Sequence, residues 1–203
     1  PKSIMKPTGE LTIGDLHANV MFLIHFLTSY GVLKISEKDF LELQNLYIKK
    51  ELTKADIEQF NQIIDAISID EKPVIRLIGD EICDRGQNDY FIFKMLDKLN
   101  QSGVSIEILL SNHGIEFLNP YEKNAPLCAP NIGFNDQSLS MDNLKQLLDK
   151  GIVDKKDVDA LIKRSYLPHL KLISYSLVNN HITIFSHAGI GLNVIKAVAD
   201  KFS

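Results

Sequence analysis

Residues 74–86 read Val74-Ile75-Arg76-Leu77-Ile78-Gly79-Asp80-Glu81-Ile82-Cys83-Asp84-Arg85-Gly86. The first five have strand length and are apolar and β-branched around one arginine; turn formers and ionisable groups follow. A strand ending in a Gly-Asp turn is predicted. The same grammar recurs along the chain. Leu11-Thr12-Ile13 runs into Gly14-Asp15-Leu16-His17-Ala18-Asn19, residues 105–110 run into Ser111-Asn112-His113, and residues 181–185 run into Ser186-His187-Ala188-Gly189. Helical patterns separate these runs, at 19–30, 36–50, 53–68, 88–101, 141–150, 155–166 and 191–202. Strands alternating with helices predict an α/β fold.

The composition is that of an ordinary globular chain: 203 residues, 45% hydrophobic and 24% charged. The length suits one domain, with or without insertions. A net charge of −4 argues against nonspecific nucleic-acid or anionic-membrane binding. Two cysteines, Cys83 and Cys128, cannot make a disulfide scaffold, and a reducing compartment is expected. No apolar run reaches the length of a membrane span, and Pro1-Lys2-Ser3-Ile4-Met5-Lys6 contains no apolar segment of the signal-peptide kind. A cytoplasmic setting is the expectation.

In open α/β sheets, ligands gather outside the carboxyl ends of the strands. Here those ends would bring together Asp15, His17, Asp80, Asp84, Asn112, His113 and His187, with Arg85 beside them. Carboxylate, amide and imidazole donors suit hard and borderline divalent metals. Two such ions can share a carboxylate and activate a water. An extended Asp15-x-His17 segment would put both side chains on one side, within reach of one ion. Asp80 can bridge, and Asn112 and His187 can hold a second ion. His25 and His169 read as structural, and His181 lies at the opposite strand end. Other phosphate chemistries fail simple tests. Asp89 and Phe134 stand where a Cys-x5-Arg motif would need arginine, and neither a phosphate loop nor a Gly-x-Ser-x-Gly elbow occurs.

The four blocks resemble the GDxH, GDxxDRG, GNH and HAG signatures of the calcineurin-like metallophosphoesterases. The Asp84-Arg85-Gly86 ending and the Leu167-Pro168 stretch before His187 look like the phosphoprotein phosphatase branch. The Gly79–Gly86 block followed by Asn88-Asp89-Tyr90 is similar to phosphatase effectors that Legionella-type bacteria inject into host cells. The resemblance implies a calcineurin-like sandwich, central β-sheets flanked by helices, and two divalent metals, manganese first, with iron or zinc fitting the same donors. It implies that Asp15 and His17 bind one metal, that Asp80 bridges, and that Asn112 and His187 bind the other. His113 would be the general acid, oriented by Asp84, and Arg85, His113 and Asn112 would contact the phosphate. The implied substrate is a phosphoprotein, from a host cell if the chain is secreted there.

Three departures stand out. Asp80 to Asp84 is a step of four, where the family has three, so a bulge must absorb the extra residue or the Asp84–His113 pairing shifts. The third block reads Ser111-Asn112-His113-Gly114, with Glu116 three positions after the histidine and unassigned. The family carries a further histidine and arginine beyond the HAG block, whereas no histidine or arginine follows His187 before Ser203. On this reading, residues 1–203 are most of a catalytic domain whose C-terminal part is missing. Residues 34–72 and 119–166 are longer than the family's usual links and read as insertions, the first helical, the second a loop (119–137) plus helices forming a cap or mere padding. Two other functions stay open: a phosphoesterase for dinucleoside polyphosphates or cyclic nucleotides, and a non-catalytic module that binds a partner.

Overall fold

The structure, a computed structural model, describes residues 9–123 and 138–202. In chain order its elements are β1 (Glu10–Ile13), α1 (Val20–Ser29), β2 (Leu33–Lys34), α2 (Glu37–Tyr47), α3 (Lys54–Ala66), β3 (Ser68–Ile69), β4 (Val74–Leu77), α4 (Asp89–Gln101), β5 (Ile106–Leu109) and α5 (Asn112–Glu122). Then come α6 (Leu139–Asp149), α7 (Lys155–Ser165), a 3₁₀ turn (Leu167–His169), β6 (Leu170–Lys171), β7 (Ser174–Val178), β8 (His181–Phe185) and α8 (Leu192–Phe202).

Strands β1, β4, β5 and β6 form a parallel sheet in the order β1-β4-β5-β6, flanked by helices. Leu11 pairs with Ile75, and Ile75 with Ile106, so the apolar runs lie side by side. Parallel pairing puts the polar ends of β1, β4 and β5 on one edge, as the α/β reading requires. Helix α4 supplies the middle of the core: Phe91, Ile92, Phe93, Met95, Leu96 and Leu99 are fully buried. Burying each such side chain contributes about 1.5–3 kcal/mol.

Local signals set the helix limits. Asn19, Ser36, Asn88, Ser111 and Asp154 each cap a helix through a side-chain oxygen. Thr53 and Asp56 form a reciprocal capping box on α3. Gly31, at φ +71°, closes α1.

The structure corrects three expectations. Residues 181–185 do not join the parallel sheet; β8 pairs antiparallel with β7. Asn179 and Asn180, at φ +49° and +61°, make the tight hairpin turn between them. Helix α5 was not foreseen, because Ser111-Asn112-His113 reads as a strand end when Ser111 is in fact an N-cap. Residues 119–122 of the expected loop therefore belong to α5, with Pro120 inside the helix. Residues 124–137, with Pro126, Cys128, Pro130 and Gly133, lie outside the described residues.

One buried cation fastens the hairpin to the sheet. Arg76, 1% exposed, sits in β4. Its Nε donates to Ser174 Oγ at 2.6 Å and to Glu107 Oε2 at 3.1 Å, and its Nη1 reaches Glu10 Oε2 at 3.1 Å. Nη2 donates to the Tyr175 carbonyl, and the guanidinium lies 4.3 Å from the Phe185 ring centre. The opposite face of the hairpin, Tyr175, Leu177, Ile182 and Ile184, is exposed. Removing one partner of a buried ion pair destabilises by roughly 3–5 kcal/mol. Arg76→Met is expected to lose about that much in urea unfolding and to speed amide exchange in β7 and β8 before it does so in β5. Unchanged exchange in the hairpin would show that Arg76 is not its anchor.

Candidate active site

The loops after β1 and β4 are clasped backbone to backbone. His17 N–H donates to the Asp80 carbonyl at 2.7 Å, and Ala18 N–H to the Glu81 carbonyl at 3.0 Å. Asp80 N–H donates to Ser111 Oγ at 3.0 Å, which also accepts the Gly114 N–H. One serine thus ties the β4 loop to the start of α5. Space is minimal. A Cβ on Gly79 (φ +98°) would lie 2.3 Å from His187 Nδ1, and one on Gly86 would lie 2.0 Å from the His17 carbonyl oxygen. A Cβ on Gly14 would make only ordinary contact, with Ile78 at 3.5 Å.

The expected residues converge in two neighbouring groups. Asp15, Asp80 and His187 form one; His17, Asp84 and His113 form the other, with ligand-type atoms within 4.8 Å inside each. His113 Nε2 joins the groups, 3.9 Å from both Asp80 Oδ2 and Asp84 Oδ2. Asp15 and His17 fall into different groups because their segment is not extended. Asp15, His17 and Ala18 lie at φ +36°, +47° and +60°, so the alternation argument does not apply.

His187 and Asn112 do meet. His187 Nδ1 sits 3.0 Å from the Ile78 carbonyl, which holds the proton on that nitrogen. Its Nε2 then faces Asn112 Oδ1 at 3.1 Å and Asp80 Oδ1 at 3.5 Å. Asp80 Oδ1 is buried without a hydrogen-bond partner among the described residues. Converging acceptors of this kind need a positive charge among them, either a second ring proton or a cation. The donor set of Asp15, Asp80, Asn112 and His187 fits a divalent metal.

Asp84 behaves differently from the expectation. Its Oδ2 lies 2.9 Å from His17 Nδ1 and 2.9 Å from Arg85 Nη1, closer than to His113. The extra residue of this block is absorbed at Cys83 and Asp84, at φ +61° and +78°. Burial and the nearby Arg85 guanidinium hold the His17 imidazole below its usual pKa, towards the neutral, ligand-competent form. Arg85 itself is 66% exposed and free to meet a ligand.

Sequence reasoning missed the layer beneath. Asp89 Oδ1 accepts the Cys83 N–H at 2.8 Å, pinning the bulge. Tyr166 Oη donates to the buried Glu81 carboxyl at 2.7 Å. Ser140 N–H, at the start of α6, donates to the Asp84 carbonyl at 3.0 Å, and Asn143 reaches the Gln87 carbonyl. Part of the second insertion therefore supports the site loop directly. Burial pushes the Glu81 carboxyl up to about 7 and the Asp89 carboxyl up to about 6. The other histidines stay outside the site: His25 is exposed on α1, His169 Nε2 meets Asn100, and His181 meets the hairpin turn.

Comparison with known proteins shows the class to be a phosphatase domain. Residues 74–203 match the WipA-like phosphatase domain, and the chain belongs to that family. Among solved structures, it is similar to the phosphatase domain of the Legionella effector WipB. That match has a TM-score of 0.85 and 36% identity, and covers 97% of this chain and 72% of that one. No curated protein matches.

The buried Asp89 carries a pH signature. Its folded pKa of about 6 exceeds the ordinary 3.8. The folded state therefore keeps a proton that the unfolded chain gives up. Its contribution to stability is full below pH 4, falls as pH rises through 6, and is flat above. Asp89→Asn keeps an acceptor for Cys83 N–H and cannot titrate. Relative to wild type, the variant is expected to gain roughly 2–3 kcal/mol between pH 4 and pH 8 in denaturant unfolding. A pH-independent difference would mean that Asp89 is ionised throughout.

Proposed function

We propose that this chain is a metal-dependent phosphoprotein phosphatase of the calcineurin-like, phosphoprotein-phosphatase type. It hydrolyses phosphomonoesters on serine, threonine or tyrosine. The observation that carries the reading is the meeting of Asp15, Asp80, Asn112 and His187 with His17, Asp84, His113 and Arg85 at one sheet edge. Asp15, Asp80, Asn112 and His187, with His17 alongside, would hold two divalent ions, manganese first. Bound there, such ions would neutralise phosphate charge and lower the pKa of a coordinated water.

The chain's own groups do the rest. Arg85 keeps one arm on Asp84 and turns the remainder of its fork to the phosphate oxygens. His113 Nε2, facing Asp80 and Asp84, delivers a proton to the departing oxygen. The buried wall behind Asp84 and His113 limits bulk water there, which strengthens these interactions. The likeness to an effector phosphatase supports secretion into a host cell, with a host phosphoprotein as substrate. No described helix is long and apolar enough to cross a membrane.

The test is hydrolysis of 4-nitrophenyl phosphate and phosphopeptides after chelation and after Mn²⁺ is added back. Activity is expected only with the metal. Asp80→Asn and His113→Ala are each expected to lower kcat by about 10²–10⁴-fold. A metal-loaded protein inactive on every phosphoester would overturn the proposal. Preference for nucleotides over phosphopeptides would move it to the small-molecule reading.

A further inference from the structure

The general acid of the proposed reaction needs a group that holds its far nitrogen, and the structure offers one that the family signature does not contain. Ser111 caps α5, so His113 lies in the first helical turn and its ring is buried, with 8% of the side chain exposed. Its Nε2 faces the site, 3.9 Å from Asp80 Oδ2 and from Asp84 Oδ2. Nδ1, on the other side of the ring, has Glu116 Oε2 3.3 Å away. The contact is within ion-pair reach but is not aligned as a hydrogen bond, and Nδ1 is buried with no other partner among the described residues. Contacts of this kind tighten when substrate closes a site. Helical geometry makes the pairing natural, because residues three apart share a face.

Asp84 is poorly placed for the same task. It faces the reactive side of His113 rather than the far side, and its Oδ2 accepts from Arg85 Nη1 at 2.9 Å, with His17 Nδ1 equally near though not aligned as a hydrogen bond. The extra residue between Asp80 and Asp84 accompanies this change of partner.

We propose that Glu116 is the positioning residue for His113, holding Nδ1–H so that Nε2 presents its proton to the leaving oxygen, while Asp84 positions Arg85 and His17. The inference rests on the reading of His113 as general acid. In the step concerned, a water oxygen bonds to phosphorus, the phosphorus–oxygen ester bond breaks, and the Nε2 proton passes to the departing oxygen. Nδ1–H stays on Glu116 throughout, which fixes the ring's tautomer and tilt. A carboxylate behind a histidine serves this purpose in many sites, and its loss lowers activity by about 10–100-fold.

The experiment uses the manganese-loaded chain and a series of aryl phosphates. The series runs from 4-nitrophenyl phosphate, whose leaving group needs little protonation, to phenyl phosphate, whose leaving group needs more. Glu116→Gln is expected to lower kcat roughly 10–100-fold on phenyl phosphate and only a few-fold on 4-nitrophenyl phosphate. KM, bound manganese and unfolding temperature should stay near wild type. The dependence of kcat on the leaving group should steepen in the same direction as in His113→Ala. Glu116→Asp, shorter by one methylene, should fall between wild type and Glu116→Gln. In ¹⁵N-labelled protein loaded with diamagnetic zinc instead of manganese, the His113 Nδ1 resonance should report a protonated nitrogen, and Glu116→Gln should shift it towards a mixture of tautomers. Asp84→Asn should instead act mainly on KM, through Arg85. A loss that is equal across the series, or a steepened dependence in Asp84→Asn but not in Glu116→Gln, would overturn the inference. If His113→Ala leaves the dependence unchanged, the general-acid reading itself fails and this inference falls with it. If His113→Ala steepens it and Glu116→Gln does not, the inference alone fails.

Discussion

The site depends on one backbone clasp: His17 and Ala18 donating to the carbonyls of Asp80 and Glu81, with Asp80 N–H held by Ser111 Oγ. Parallel strands deliver three loops to one edge, but they do not by themselves bring those loops into contact. The clasp does, and it leaves so little room that glycine is required at 79 and 86. It also holds Asp15, His17, Ala18, Asp80, Cys83 and Asp84 in left-handed backbone. Conformations of that kind cost of order 1–3 kcal/mol each and persist only where the surroundings over-determine them. The surroundings here are a largely buried α4 and the supporting helices.

Those helices come largely from the segments that read as insertions. Phe60, on α3, packs at 4.2 Å from Phe91, and Asn61 bonds with Tyr90. Helix α6 donates Ser140 N–H to the Asp84 carbonyl, and Tyr166, just past α7, holds Glu81. The same region faces an electrostatic problem. Asp80, Asp84, Glu81 and Asp89 lie close together on one loop and its following helix, with Asp15 adjoining. Five ionised carboxyls there would repel one another. The two deepest, Glu81 and Asp89, have their pKa raised by burial to about 7 and about 6, so they resist ionisation and lessen that repulsion.

Much of this was legible in the sequence. Three apolar runs ending in polar turns are strands β1, β4 and β5 of the sheet, and Ser36 and Thr53 mark helix starts. The failures have specific causes. Ser111 can end a strand or cap a helix, and only the pairing of β5 with its neighbours decides which; α5 and the His113–Glu116 relation were lost with that choice. Residues 181–185 have the composition of a buried strand, yet the Asn179-Asn180 turn binds them to β7 first. Side-chain alternation assumed extended backbone at Asp15–His17, where the clasp imposes turns. Long-range supports such as Tyr166 on Glu81, 85 positions apart, leave no periodic trace in the chain.

The spacing of the Asp80–Arg85 block illustrates how a motif can keep its residues and change their relations. Cys83 and Asp84 lie in left-handed backbone, and Asp89 pins that turn through Cys83 N–H. Asp84 Oδ2 lies between His17 and Arg85, linking the group that contains His113 to the exposed arginine. This carboxylate oxygen is bonded to Arg85 and faces only the Nε2 side of His113, at 3.9 Å. The far nitrogen of His113 is therefore left to a residue on its own helix, one turn on, where i to i+3 geometry supplies Glu116.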